Sequence, residues 1–395
     1  MTSSERPMAE KNAGPTRRRG GRLLVGLACL VGVVALATPT LAAGGHRDST
    51  KELQRTLDEI VAAGAPGAAA VVRDGTRTIR LSSGEGNLEP SSPMRSGDLV
   101  RIGGVTKSFT ATVVLQLVGE GKFTLDDTVE QRLPGTIPNG EDITIRQLLN
   151  HTSGIADYAN DPSVLAPYSE GDLTHVFDPQ QGLQVAADHG PMFAPGSALG
   201  YSNTNYLLLG MIVEGATGRS IGDELRARIF EPLGLRHTSY ATSSEMPGSY
   251  THGYLLLDAP PLVDVTAFSP TVLGASGAIL SNANDVARFY RGLLSGRLLG
   301  PDLLAAMQSI DPVATGGIAD AGILGGGWGL GLLREELPCG EAWGHDSESP
   351  GYMTAAWNSK DGRRQIVVVV NRAFDHDDPA SEAMREALVT GLCGT

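Results

Sequence analysis

The chain has 395 residues, 31 basic against 44 acidic side chains and a formal net charge of −13. That length can bury one large core or two closely packed regions, and the acidic balance excludes a nucleic-acid partner held through its phosphates. Three cysteines exclude a disulfide-dense scaffold.

Read from the start, Arg17, Arg18, Arg19 and Arg22 precede an apolar run, Leu23 to Ala37, and a small-residue stretch, Thr38 to Ala43. This is the pattern of a secretory signal peptide over residues 1–43. The apolar run of about 15 residues is short of the roughly 20 that span a bilayer, so no stable membrane span is expected after cleavage. Paired arginines also admit a twin-arginine export route, although the residues after them fit that signal poorly. Cys29 leaves with the leader. Six basic and two acidic side chains leave too, which takes the charge of 44–395 to about −17.

Two cysteines then remain, Cys339 and Cys393, and an even pair in an exported chain reads as one disulfide tying down the last segment. Residues 44–395 contain no repeat and no low-complexity block, and are expected to form one domain. Ala68 to Val72 and Thr76 to Ser82 flank Arg73-Asp74-Gly75, a β-hairpin with a glycine-assisted turn. Helical stretches follow at Thr106 to Gly119, Tyr206 to Thr217, Ile221 to Ile229 and Asn284 to Leu294. A second hairpin pairs Tyr352 to Asn358 with Gln365 to Asn371 across Ser359-Lys360-Asp361-Gly362, and Ala380 to Leu392 closes the chain as a helix. Strands from both ends with helices between predict an α+β fold, one antiparallel sheet with a helical region inserted.

Three segments carry candidate chemistry. In Gly104-Val105-Thr106-Lys107 the lysine lies one helical turn after a glycine. Tyr201-Ser202-Asn203 follows Phe193-Ala194-Pro195-Gly196 on an expected loop. Gly344-His345-Asp346-Ser347 precedes Pro350-Gly351 and the terminal hairpin. Together they resemble the three active-site elements of the serine β-lactamase and D-alanyl-D-alanine carboxypeptidase family, the penicillin-recognising serine hydrolases. The likeness extends over roughly Thr50 to Cys393 and is nearest to secreted actinobacterial carboxypeptidases.

The resemblance implies the β-lactamase/transpeptidase-like fold and an acyl-transfer site with no cofactor and no metal. The nucleophilic serine belongs at Gly104, which has no side chain to acylate. No lysine of the chain follows a serine by three residues. Ser108 lies a turn deeper along the helix, away from its exposed amino end. By the same resemblance Lys107 and Tyr201 move protons and Asn203 holds the substrate's acylamide. His345 keeps the basic place on the strand. Asp346 sets a carboxylate where the family presents a hydroxyl to the substrate's carboxylate, and Ser347 replaces the glycine that lets substrate backbone approach. The oxyanion donors are the amides of Gly104 and Glu348.

These departures point to a catalytically impaired, binding or regulatory member of the family, with peptidoglycan stem peptides as the ligands the family suggests. The alternative is a hydrolase in which Lys107 and Tyr201 activate water without an acyl-enzyme. His151-Thr152-Ser153-Gly154-Ile155 and Gly326 to Gly331 read as structural. Asp126-Asp127 and Asp375-His376-Asp377-Asp378 lack the ligand spacing of a metal site and read as solvated loops.

Overall fold

The two ends of the chain meet in one sheet. The computed structural model describes residues 42–257, 260–315, 326–375 and 377–394, so the expected leader through residue 41, and His376, lie outside the described residues. A helix, α1 (Ala42–Ala62), leads into strands β1 (Gly67–Asp74), β2 (Arg77–Leu88) and β3 (Ser91–Pro93). Near the other end come β4 (Gly327–Trp328), β5 (Leu333–Leu337), β6 (Gly340–Ser349), β7 (Tyr352–Ser359) and β8 (Arg364–Val370). These eight strands form one sheet in the order β3-β2-β1-β8-β7-β6-β5-β4. Every neighbouring pair is antiparallel, and β1 joins the two chain ends by pairing Ala68 with Val370 and Asp74 with Arg364.

Both predicted hairpins form, because each turn carries a glycine with positive φ, Gly75 at +56° and Gly362 at +66°. Side chains alternate across the sheet, and each face buries its own core. Trp343, Ala356, Val367 and Val369 pack toward α2 (Thr106–Gly119), α3 (Asn203–Thr217) and α4 (Ala283–Leu294). Ala342, Ala355, Trp357 and Val368 pack against α1 and α5 (Pro379–Cys393), through residues such as Leu57 and Leu388. Each fully buried leucine contributes roughly 2 kcal/mol of transfer free energy.

The predicted disulfide is present: Cys339, between β5 and β6, bonds Cys393 at the end of α5, with Cα atoms 5.3 Å apart. Closing that loop of 54 residues is worth roughly 4 kcal/mol in the chain-entropy account.

Three local expectations change. Helix α1 was not foreseen, although it covers one face of the sheet. Helix α3 begins at Asn203 rather than Tyr206, so Asn203 stands in the first helical turn and not on the loop. The stretch from Ile221 is α-helical only to Leu225 and then widens into a π turn, Arg226–Phe230. Pro232 follows that turn; it lacks an N–H and its ring crowds the carbonyl four residues earlier. Asp126 and Asp127 pair with Arg146 and Arg132. Among the described residues no cluster of three or more His, Cys, Asp or Glu is arranged to hold a metal, and no helix is long and apolar enough to cross a membrane.

Candidate active site

Helix α2 runs through the middle of the helical region and is buried almost all round, from Thr106 to Leu115 and at Leu117. Its hydroxyls are therefore satisfied internally: Ser108 Oγ donates to the Gly331 carbonyl at 2.7 Å and lies 3.0 Å from the Tyr290 hydroxyl, and Thr110 donates to the Ala275 carbonyl at 2.8 Å. Ser108 is thus a packing residue held away from the mouth of the site. A short 3-10 turn, Gly103–Val105, delivers the chain into α2 and lies against β6.

Lys107 is 1% exposed. Its Nζ lies 2.6 Å from the Tyr201 hydroxyl, 2.9 Å from Asn203 Oδ1 and 3.1 Å from the Ser276 carbonyl. Burial pushes the amine down to about 7, partly offset by the Asp157 carboxylate. Burial also raises the Tyr201 hydroxyl well above its ordinary range, with Asp157 and Asp346 adding to the effect, so the phenol keeps its proton.

Asp157 was not singled out in the sequence, yet it orients this half of the site. Its carboxylate accepts the Asn203 amide N–H at 3.1 Å and Asn203 Nδ2 at 3.0 Å. With Nδ2 committed to a carboxylate, Oδ1 must be the end that faces Lys107. Both ends of the carboxamide assigned to substrate are thereby already engaged. His151 is the second unforeseen contributor. At φ +60° it stacks on Tyr201 with ring centroids 4.7 Å apart, and its Nδ1 faces the Ser202 N–H and Asn205 Nδ2. Ser153 donates instead to Asn205 Oδ1, so the adjacent His and Ser form no catalytic pair, as expected.

The strand side is arranged differently. His345 and Ser347 lie on the face of β6 that meets Gly103–Val105. A Cβ built at Gly104 would stand 3.3 Å from Ser347 Oγ, 3.4 Å from His345 Cε1 and 3.6 Å from Lys107 Nζ. The three elements foreseen in the sequence therefore do converge on residue 104. What they converge on differs from the expectation. The Gly104 N–H donates to Ser347 Oγ at 2.5 Å, and that hydroxyl donates in turn to the Glu348 carbonyl at 3.0 Å. The serine replacing the family's glycine thus sits directly on the amide expected to bind an oxyanion. The Glu348 carbonyl would stand 3.1 Å from a Cβ at Gly103, so the backbone of Glu348 faces the same turn.

His345 Nδ1 donates to the Asp346 carbonyl at 2.5 Å, which leaves Nε2 without a proton and, in this structure, without a partner. Burial and the Lys107 charge hold the imidazole down at about 3, against a smaller opposing effect of that backbone bond. His345 is a neutral acceptor at physiological pH.

Asp346 corrects the sequence reading. It pairs with Ala355, whose side chain belongs to the core under α1 and α5, so the pleat turns Asp346 to the face opposite His345 and Ser347. It does not line the substrate edge as a second carboxylate. Its charge acts from beneath, on the Tyr201 hydroxyl and on Glu335, whose carboxyl is raised to about 8 by burial and by Asp346.

A lysine on the first turn of a buried helix, a Tyr-x-Asn element beside it and a basic residue on the facing strand of a two-ended antiparallel sheet define the framework of a penicillin-recognising serine hydrolase. The chain belongs to the beta-lactamase family, whose model matches residues 53–391. It is 34% identical over 72% of its length to penicillin-binding protein 4 of Amycolatopsis lactamdurans, of which 75% is covered. It is 28% identical to esterase EstB of Burkholderia gladioli, across 82% of this chain and 90% of that one. A solved D-stereospecific amidohydrolase from Streptomyces sp. superposes with a TM-score of 0.78 at 36% identity, covering 87% of this chain and 99% of its own. The three names describe penicillin binding, an ester and a D-configured amide, so membership alone fixes no substrate.

Proposed function

We propose that this protein is an exported member of the family, with a leader over 1–43 and one domain over 44–395, whose cleft binds ligands without forming an acyl-enzyme. One observation carries the reading: residue 104 has no side chain and its N–H is occupied by Ser347 Oγ. The nucleophile and one oxyanion donor are thus lost together. An acyl-peptide related to peptidoglycan stem peptides is the ligand class the family resemblance suggests, and one relative is named for binding penicillin. Lys107, Tyr201 and Asn203 would form the polar wall of that cleft, with His345 and Ser347 facing them.

Incubation with a fluorescent penicillin and a fluorophosphonate, read by intact mass, with ester turnover assayed in parallel, tests this. No adduct and no turnover are expected; a stable adduct overturns the reading. Turnover without an adduct would establish a second mechanism, in which Lys107 and Tyr201 activate water beside Gly104. The amine held at about 7 and lying 3.6 Å from the Cβ position is the observation that favours it.

A further inference from the structure

Arg55, Arg132, Arg228 and Arg334 each reach a carboxylate. Four others, Arg73, Arg80, Arg288 and Arg291, are gathered on one side of the fold, and among the described residues none of them forms an ion pair. Strand register and helix periodicity bring them together. Arg73 pairs with Gln365 on β8, and Arg80 pairs with Val71 on β1, so these side chains leave the sheet on the face that α4 covers. Gln365 Nε2 donates to the Ala287 carbonyl of that helix at 2.9 Å. Asn284, Arg288 and Arg291, spaced i, i+4 and i+7, share one side of α4.

Three of the four are fastened to neutral acceptors. Arg80 Nε donates to Asn284 Oδ1 at 2.7 Å, Arg288 Nη1 to the Gly234 carbonyl at 3.0 Å and Arg291 Nη1 to the Gly75 carbonyl at 2.6 Å. Such bonds fix a guanidinium without cancelling its charge, and leave most of its five donors unspent. Arg73 is half-buried and makes no hydrogen bond to a described residue, and its Nε is shut off from solvent without a partner. Asp285 is the one carboxylate whose charge supports Arg73, against three like-charged arginines. It is 3% exposed and already accepts the His237 N–H at 2.8 Å.

We infer that these four arginines, between β1, β2 and the side of α4, form a binding site for a compact phosphate group, free or carried at the end of a larger molecule. Four cations held together without a counter-charge are in deficit, and a phosphate group supplies two or more negative charges at one point. Its terminal oxygens accept guanidinium donors in pairs and from several directions at once, which a single planar carboxylate does not. The remainder of the chain is strongly acidic, so an extended polyanion would be repelled beyond the local reach of the cluster, about 8–10 Å in salt. The site uses no residue of the cleft.

Calorimetric titration of the protein with pyrophosphate, against sodium chloride at matched ionic strength, tests this. One saturable site is expected for pyrophosphate and none for chloride, with affinity falling as salt rises to about 0.15 M. Arg80→Gln and Arg288→Gln alter exposed side chains, and each should weaken binding about tenfold, the worth of a hydrogen bond to a charged group. Arg73→Gln should weaken it further, and Arg146→Gln, outside the cluster and ion-paired to Asp126, should leave it unchanged. Should Arg73→Gln fail to fold, the two exposed variants decide. Absence of a saturable site, heat equalled by chloride, or an affinity indifferent to Arg80→Gln and Arg288→Gln would overturn the proposal. Co-sedimentation with phosphatidate vesicles, against phosphatidylcholine vesicles, separates the sources. Vesicle binding lost in the two exposed variants assigns a lipid headgroup, and pyrophosphate binding without vesicle binding assigns a soluble phosphate. Vesicle binding that survives both substitutions counts against the site. None of these variants touches residue 104, so labelling by penicillin or fluorophosphonate is a separate result.

Discussion

The helical wall of the candidate site and its strand wall are held together in different ways. On the helical wall Lys107, Tyr201, Asn203 and Asp157 form a closed hydrogen-bonded set, with every distance between 2.6 and 3.2 Å. On the strand wall His345 Nε2 is unpartnered and a hydroxyl occupies an amide that the family's chemistry would reserve for substrate. The difference teaches that a buried set of mutually paired side chains and a strand fixed by its backbone are physically separable parts of one site. The first set is kept together by its own burial, because removing one member leaves the others desolvated and unpaired. The second is held by backbone geometry, and side chains there can change without unfolding the sheet.

The strongest way to break the contrast is to rebuild the strand wall. Gly104→Ser alone places a Cβ 3.3 Å from Ser347 Oγ and leaves the Gly104 N–H engaged, so little labelling by fluorophosphonate is expected. Adding Ser347→Gly should raise labelling by about a hundredfold, the usual worth of one oxyanion donor. Equal labelling of the single and double variants would show that Ser347 does not obstruct the site. The helical wall is probed by Asn203→Ala, which removes a donor from Asp157 and an acceptor from Lys107. A loss of roughly 2–3 kcal/mol in chemical denaturation is expected, since both are left buried without that partner; a loss near zero would mean the set is not cooperative.

A third prediction uses pH. Folding lowers the pKa of His345 to about 3, so the unfolded chain binds the proton more readily. Stability from this group is complete above the unfolded value of roughly 6.5 and is lost as pH falls toward 3. Between pH 7 and 5 the loss should be about 2 kcal/mol, and His345→Gln should flatten the profile by that amount. An unchanged profile would place the titration elsewhere, with buried His151 the next candidate because its pKa is lowered in the same direction. The smallest effect is expected at Ser108→Ala. It should cost about 1 kcal/mol, with no change in labelling of the rebuilt site.

Much of this was legible in the sequence where local signals are strong. Helix α2 occupies the predicted Thr106–Gly119, and both hairpins were visible from their turn residues. The convergence of Lys107, Tyr201, Asn203 and His345 was what the resemblance of three short segments to the family's active-site elements implied. The Ser347 contact was not legible. It joins residues 243 apart, and nothing local to either says that a hydroxyl on one will meet the N–H of the other. Asp157 was hidden for the same reason, since its partner Asn203 lies 46 residues further on. The face occupied by Asp346 could have been found by counting alternate residues from Trp343, had the strand been known to run unbroken to Ser349.

The pairing of β1 with β8 has a consequence for biogenesis. Ala68 finds Val370 only when nearly the whole chain has been made, so the central sheet cannot close on a growing nascent chain. Until then β1 presents an open apolar edge of Ala and Val residues, a template for pairing with another molecule. Chains truncated before Arg364 should therefore collect as aggregates instead of shortened soluble domains, and the full-length protein should depend on something that keeps it unpaired until synthesis ends.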